Sequence, residues 1–358
     1  MRATLTRRAA ELSRACGRGT KLVAVCTLLA LTGCERPPAP QDFAGDTMGT
    51  TYHVTVTSLP DRVSREEVQG AIDELLTAVD LHLSTYRPDS EISRFNSSAS
   101  TEWTRVSEPL WAVLVEGQRV SRESRGAFDV TVAPLVALWG FGEDPTAAPL
   151  QPTVDQLQSA RSRVGYTKLE LRESPPAIRK TVPGLRLDVA GIAPGYAVDI
   201  VAERFQRLGV RDAIVEIGGE VRAWGRNPDG RPWRVAVETP LAGERRAYAL
   251  VELAGMSVST SGDYRDYRMV DGRRISHTID PRSGAPVSHD LASVTVLHSS
   301  ATTADAYATA LAVLGPEEGF RFAEQHRLAA LFLERVPGGA QWHERVTPEF
   351  TRLRRPLP

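Results

Sequence analysis

The stretch AIVEIGGEVRAW, Ala213 to Trp224, sets two short strand patterns on either side of a Gly-Gly pair. A two-residue glycine turn between such patterns makes an antiparallel hairpin. Further strand patterns follow at short intervals: WRVAVE (Trp233–Glu238) after the NPDG turn, then YALVEL (Tyr248–Leu253) and ASVTVL (Ala292–Leu297). Earlier in the chain, MGTTYHVTV (Met48–Val56) alternates, with Tyr52, Val54 and Val56 on one face, as a half-buried strand does.

Helices are signalled between these strands. Ser64 and Glu67 have capping-box spacing ahead of Val68, Ile72, Leu75, Leu76 and Val79 at helical period. A second helix starts near Ser107, carries Pro109 in its first turn and stops at Gly126. Thr153 and Gln156 mark a third. LRLDVAGIAPGYAVDIVAERFQRLG (Leu185–Gly209) reads as a strand, a turn of small residues and a helix, with Pro194 near its first position. TTADAYATALAVLG (Thr302–Gly315) reads as a helix capped by Thr302 or Thr303 and stopped at Gly315-Pro316. Helices mixed with antiparallel strands give an α+β body.

The formal net charge of -1 conceals an asymmetry, because residues 1–33 hold six basic residues and one acid. Without them 37 basic residues face 43 acidic ones, a balance that disfavours a nucleic-acid partner. The same segment reads as an export signal: a basic stretch, then the apolar run Leu22–Leu31, too short to span a bilayer. LTGC (Leu31–Cys34) resembles a bacterial lipobox, which implies cleavage before Cys34 and lipidation of its sulfur. Cys16 and Cys26 lie inside the signal, so the mature chain is expected to lack a disulfide. The expected organisation is a signal over 1–33, a Pro-rich tether over 34–44, one domain over 45–345 and a basic tail over 346–358.

Several residues carry chemistry. Asp305 and Thr309 are four apart on one helix face and could hold a hard cation, although spacing alone reads first as a solvated face. Gly191, Ala193 and Gly195 let a backbone approach a ligand, and the helix start at Pro194 offers amides to a phosphate; a tight packing turn has the same pattern. Tyr86 with Arg87 and Arg94 could stack a ring and neutralise phosphate, or form a surface turn. Asp129 lies among Phe128, Trp139 and Phe141, and a buried carboxylate there needs partners. His277 sits at a strand end between Ser276 and Thr278, placed for general-base work or for a structural role.

Eight motifs in order, MGTTYHVTV, STYRPDSEISRFN, GAFDVTVAPLVALWGFG, LDVAGIAPGYAVD, VEIGGEVRAWG, STSGDYRDY, SHTIDPRSGAPV and ADAYATA, resemble the ApbE family of flavin transferases over roughly Gly45–Leu333. The resemblance implies an α+β fold with two similar β-α-β motifs in mixed, largely antiparallel sheets, and a flavin site between lobes. It implies a Mg²⁺-dependent enzyme that takes FAD as donor and attaches FMN to a Thr or Ser hydroxyl of another protein, releasing AMP. The acceptors it implies are exported or membrane redox subunits with a D-x-x-[ST]-x-A-T-like motif.

By the same resemblance, Met48, Tyr86, Ala127, Phe128, Asp129 and Asp188 match positions around the FAD, and Ile279 lies against the nucleotide. Asp305 and Thr309 match metal ligands, with a backbone carbonyl at or beside Gly191 as a third, and His277 matches the base that activates the acceptor. Pro194 departs from the pattern, where many members carry Lys or another polar residue. Arg265 and Arg268 are further candidates for holding phosphate or acceptor. The competing readings are a Mg²⁺-dependent FAD pyrophosphatase that yields FMN and AMP, and a non-catalytic flavin-binding lipoprotein. The expected location is the periplasmic side of a bacterial membrane, inner or outer; Glu35 after the Cys leaves the outer membrane slightly favoured.

Overall fold

The computed structural model describes residues 39–358, apart from 143–150, 242, 244, 264–266, 271–272, 337–340 and 358. The export signal, Cys34 and Arg265 lie outside the described residues.

Eight strands form the main sheet, and their order across it is their order in the chain: Gln41–Thr47, Thr50–Val56, Ala213–Ile217, Glu220–Trp224, Met256–Gly262, Leu291–His298, Ala329–Arg335 and Trp342–Val346. Every pairing in it is antiparallel, so the fold is α+β as expected. Its two halves are alike. In each, two strands are followed by a helix and two more strands, with Ala193–Arg207 serving the first half and Ala301–Gln325 the second.

Period-two alternation buries both faces of the sheet. In Ala329–Arg335, Ala330 and Phe332 pack into the core beneath the helices, while Ala329, Leu331 and Leu333 face a second core. A three-stranded sheet of Trp233–Glu238, Ala247–Leu253 and Arg354–Arg355 closes that second core. The stretch expected as a basic tail therefore belongs to the body. Thr347 caps the helix Pro348–Leu353, and Phe350 is fully buried. At the other end, the first strand begins at Gln41, inside the expected tether, because it pairs along its length with Thr50–Val56.

The local signals formed where they were expected. Ser64, Ser107 and Thr153 cap the helices Arg65–Leu83, Glu108–Glu123 and Val154–Ser162, the last with both bonds of a capping box. Gly218 and Gly219 make the hairpin turn with φ of 65° and 106°, which glycine tolerates. Two expectations fail for non-local reasons. The segment before Asp188 is extended but joins no ladder: Asn96 brackets Leu187, accepting its N–H and donating to its carbonyl, and Val130 accepts the Asp188 N–H. The last long helix is capped by Ser300, not by Thr302 or Thr303, and starts at Ala301.

That helix does break at Gly315 (φ 75°), yet helix resumes to Gln325. Pro316 has no N–H to offer the Ala312 carbonyl four residues back. The ring of His289 lies 2.9 Å from that carbonyl through Nε2 and takes the place of the missing donor.

Lys180 is fully buried, and its ammonium donates to the carbonyls of Phe95 (2.8 Å), Ser98 (2.8 Å) and Leu185 (3.1 Å). It ties the end of the helix Glu91–Ser97 to the extended segment that leads to Asp188. Burial lowers its pKa, with the charge of Arg186 adding to the effect. Lys180→Met keeps the stem and strands three carbonyls, a loss of roughly 2–4 kcal/mol. The urea midpoint should fall with no change in slope. An unchanged midpoint would show that the carbonyls find other donors.

Candidate active site

A cleft of about 800 Å³ opens beside the starts of the helices Ala193–Arg207 and Ala301–Gln325, within the range of small-molecule sites. It gathers residues from motifs far apart in the chain. Phe128, Val136, Phe141 and Ile279 give it an apolar wall, and Tyr86, exposed to 74%, also lines it. Of the expected site residues, Tyr86, Ala127, Phe128, Asp129, Asp188, Gly191, His277, Ile279, Asp305 and Thr309 all line this one cleft. Met48 does not. It occupies the turn between the first two strands with φ of 47°, and its side chain packs on the main core.

Specific neighbours fix several of these positions. Asp129 is buried and is satisfied by the N–H and hydroxyl of Thr131 and the N–H of Tyr166. Burial nonetheless raises its pKa. The Asp188 carboxylate accepts the N–H of Ala190 and so turns the chain toward Gly191. His277 follows the strand Arg273–Ser276, which pairs with Tyr267–Val270, and its ring meets Phe141 edge-on at 6.4 Å.

Asp305 is not on a solvated face. It is 4% exposed and, through Oδ2, accepts the Gly195 N–H at 3.0 Å. One turn on, Thr309 lies so close to Gly191 that a β-carbon there would sit 2.7 Å from its hydroxyl oxygen. Ser261 approaches the same hydroxyl at 3.4 Å.

Sequence reasoning missed Glu220. It lines the cleft, is 8% exposed, and takes a hydrogen bond from Ser259. Burial, and then the charge of Asp305, raise its pKa well above the usual carboxylate range. Burial raises that of Asp305 too. A signal existed: Glu220 is the cross-strand partner of Ile217, and directly paired residues share a face. Ile217 is fully buried, and Glu220 shares its face of the sheet.

The loop arginines do not reach the cleft. Arg87 pairs with Asp80 (3.0 Å) and Asp89 (2.8 Å), and Arg94 donates to the Asp89 carbonyl. Arg268 donates to the Trp139 carbonyl at 2.9 Å. Among the described lining residues, four carboxylates (Asp129, Asp188, Glu220 and Asp305) face one guanidinium, that of Arg186. The acids outnumber the cationic side chains among the described lining residues, a balance that favours a cation beside a polyanionic ligand. The hard oxygen donors around Asp305 and Thr309 suit a small divalent ion.

Comparison with known proteins agrees with this architecture. The profile of the ApbE family matches residues 48–332. A Vibrio cholerae FAD:protein FMN transferase is 42% identical over 319 residues, covering 89% of this chain and 94% of that protein. A Haemophilus influenzae protein of the same name is 38% identical over 328 residues, covering 89% and 93%. The crystal structure of Pseudomonas stutzeri flavinyl transferase ApbE, apo form, superposes with a TM-score of 0.80 at 42% identity, covering 88% of this chain and 96% of that one. The Vibrio cholerae flavin transferase ApbE gives a TM-score of 0.80 at 39% identity, covering 88% and 99%. In sequence and in fold this chain belongs to the ApbE family, and it is a transferase.

Proposed function

We propose that this protein transfers FMN from FAD to a Thr or Ser hydroxyl of an acceptor protein, with Mg²⁺ as cofactor and AMP as the leaving product. The charge balance of the cleft supports this reading, since a cation beside the buried Asp305 would offset the charge that a diphosphate brings to a lining richer in acids than in bases. Asp305, Thr309 and the carbonyl at Gly191 would hold the ion. When bound, Mg²⁺ neutralises the diphosphate and stabilises the charge that develops as it is cleaved.

The chain's own residues supply the rest. Phe128, Phe141 and Ile279 offer apolar surface to the flavin, with Tyr86 beside them. The amides at the start of the helix Ala193–Arg207 are already taken, Ala193 N–H by the Val189 carbonyl and Gly195 N–H by Asp305, and Pro194 there adds neither an N–H nor a side-chain cation. His277 takes the proton of the acceptor hydroxyl through an imidazole nitrogen. The hydroxyl oxygen then bonds to the FMN phosphorus, the bond to the bridging oxygen breaks, and AMP departs with that oxygen.

The acceptors in this reading are exported or membrane redox subunits with a D-x-x-[ST]-x-A-T-like motif. The enzyme is lipid-anchored through Cys34 at the periplasmic side, more readily at the outer membrane. Cys34→Ser should move it out of the membrane fraction, and unchanged retention would count against the anchor.

Incubation with FAD, Mg²⁺ and an acceptor fragment should raise the fragment's intact mass by one FMN less one water. Free FMN with no change in fragment mass would point to hydrolysis instead. His277→Ala should keep FAD affinity and lose transfer by roughly 10²–10⁴-fold, with partial recovery as pH rises. Weak FAD binding with normal transfer at saturating FAD would make His277 a binding residue. Asp305→Ala should abolish Mg²⁺-stimulated turnover. Its melting temperature should change little, because loss of a cap and relief of a desolvated carboxylate oppose each other. Full activity with Mg²⁺ would sink the metal assignment.

A further inference from the structure

The helices Ala193–Arg207 and Ala301–Gln325 meet at their first turns, and each supplies a carboxylate to the start of the other. Asp305 accepts the N–H of Gly195. Asp199, one turn beyond Gly195, accepts the N–H groups of Ala301 (3.0 Å) and Thr302 (2.9 Å). Gly195 and Asp199 are four apart on one helix, and Ala301 and Asp305 are four apart on the other. Contact is at backbone distance: a β-carbon at Gly195 would lie 2.4 Å from the Ala301 carbonyl oxygen.

Asp199 does more than cap. Its Oδ2 also accepts the hydroxyls of Ser300 (2.7 Å) and Thr302 (2.8 Å), and its Oδ1 meets Arg222 at 2.6 Å. It is 6% exposed and lies outside the cleft, so it touches no ligand there. The helix Ala193–Arg207 has no side-chain cap of its own at Ile192, which leaves the Asp305 carboxylate to serve its first turn. Asp305 can accept from Gly195 only if the start of its own helix is held against Gly195, and Asp199 provides that hold.

We propose that Asp199 is a positioning residue for the cation site. By fixing the start of the helix Ala301–Gln325, it commits one oxygen of Asp305 to Gly195 and leaves the other for the metal. This rests on the reading of Asp305 as a Mg²⁺ ligand. An asparagine cannot replace Asp199, because both of its oxygens face fixed donors: Ala301 N–H and Arg222 on one, Thr302 N–H on the other. Residues that orient ligands typically change metal affinity by roughly 10- to 100-fold when altered.

The test is transfer rate and melting temperature, each against Mg²⁺ concentration, with the rate taken at saturating FAD and acceptor fragment, for the wild type, Asp199→Asn, Thr302→Val and Asp305→Ala. Asp199→Asn should raise the half-saturating Mg²⁺ concentration by roughly 10- to 100-fold, with turnover close to wild type once Mg²⁺ saturates. Thr302→Val removes one bond to Asp199 and should give a smaller shift in the same direction. It decides the matter should Asp199→Asn fail to fold. A purely structural role would lower the melting temperature and the amplitude while leaving half-saturation unchanged, and that result overturns the proposal. If Asp305→Ala loses its Mg²⁺ response while Asp199→Asn and Thr302→Val keep the wild-type curve, only the role of Asp199 falls. If Asp305→Ala also keeps the wild-type curve, the metal reading falls and this proposal with it.

Discussion

A hydrogen bond of 3.0 Å joins the Gly195 N–H to the Asp305 carboxylate where two helices touch at their first turns. Much of the site depends on this contact. It requires glycine at 195, because any side chain would strike the Ala301 carbonyl. It holds Thr309 against the turn at Gly191 one helical turn further on. It also joins the helices of the two similar halves of the sheet. A helix start has free N–H groups that must find acceptors when buried. Here the acceptors are carboxylates: both oxygens of Asp199 are taken by fixed donors, and one oxygen of Asp305 is held by Gly195.

Electrostatics sets the second constraint. Asp305 and Glu220 are buried near enough for the charge of one to raise the pKa of the other. Two such groups without a cation resist ionisation together. In the proposed function a divalent ion would offset that cost and accompany a diphosphate into a cleft with one arginine among its described lining residues. Burial of the acids and the scarcity of cationic side chains among the described lining residues both support the proposed metal.

How much was legible in the sequence depended on the range of the interactions. Ser64, Ser107 and Thr153 were readable as caps because each bonds an amide three residues away. The Gly218-Gly219 hairpin and the break at Gly315-Pro316 were readable for the same local reason. The segment before Asp188 looked like a strand, but its partner is the side chain of Asn96, 91 residues earlier. Thr302 looked like a cap, but Asp199 from another helix takes its N–H and hydroxyl. Asp305 and Thr309 had the spacing of a solvated face, and only the packing of the two helices removes Asp305 from water. Glu220 was hidden in a motif that explained itself as a hairpin. The cleft residues were assembled by resemblance to a family, and the structure brings all but Met48 to one cleft among the positions it describes.

The most direct test of this account is the position of the metal relative to the donor. Crystals grown with FAD and Mn²⁺ in place of Mg²⁺ would reveal the ion by its anomalous scattering. The account predicts one peak bonded to Asp305 and Thr309 and touching the diphosphate of FAD, with the flavin against Phe128 and His277 open to an incoming hydroxyl. Manganese bound away from Asp305, or FAD seated in the cleft with its diphosphate held by side chains alone, would contradict it.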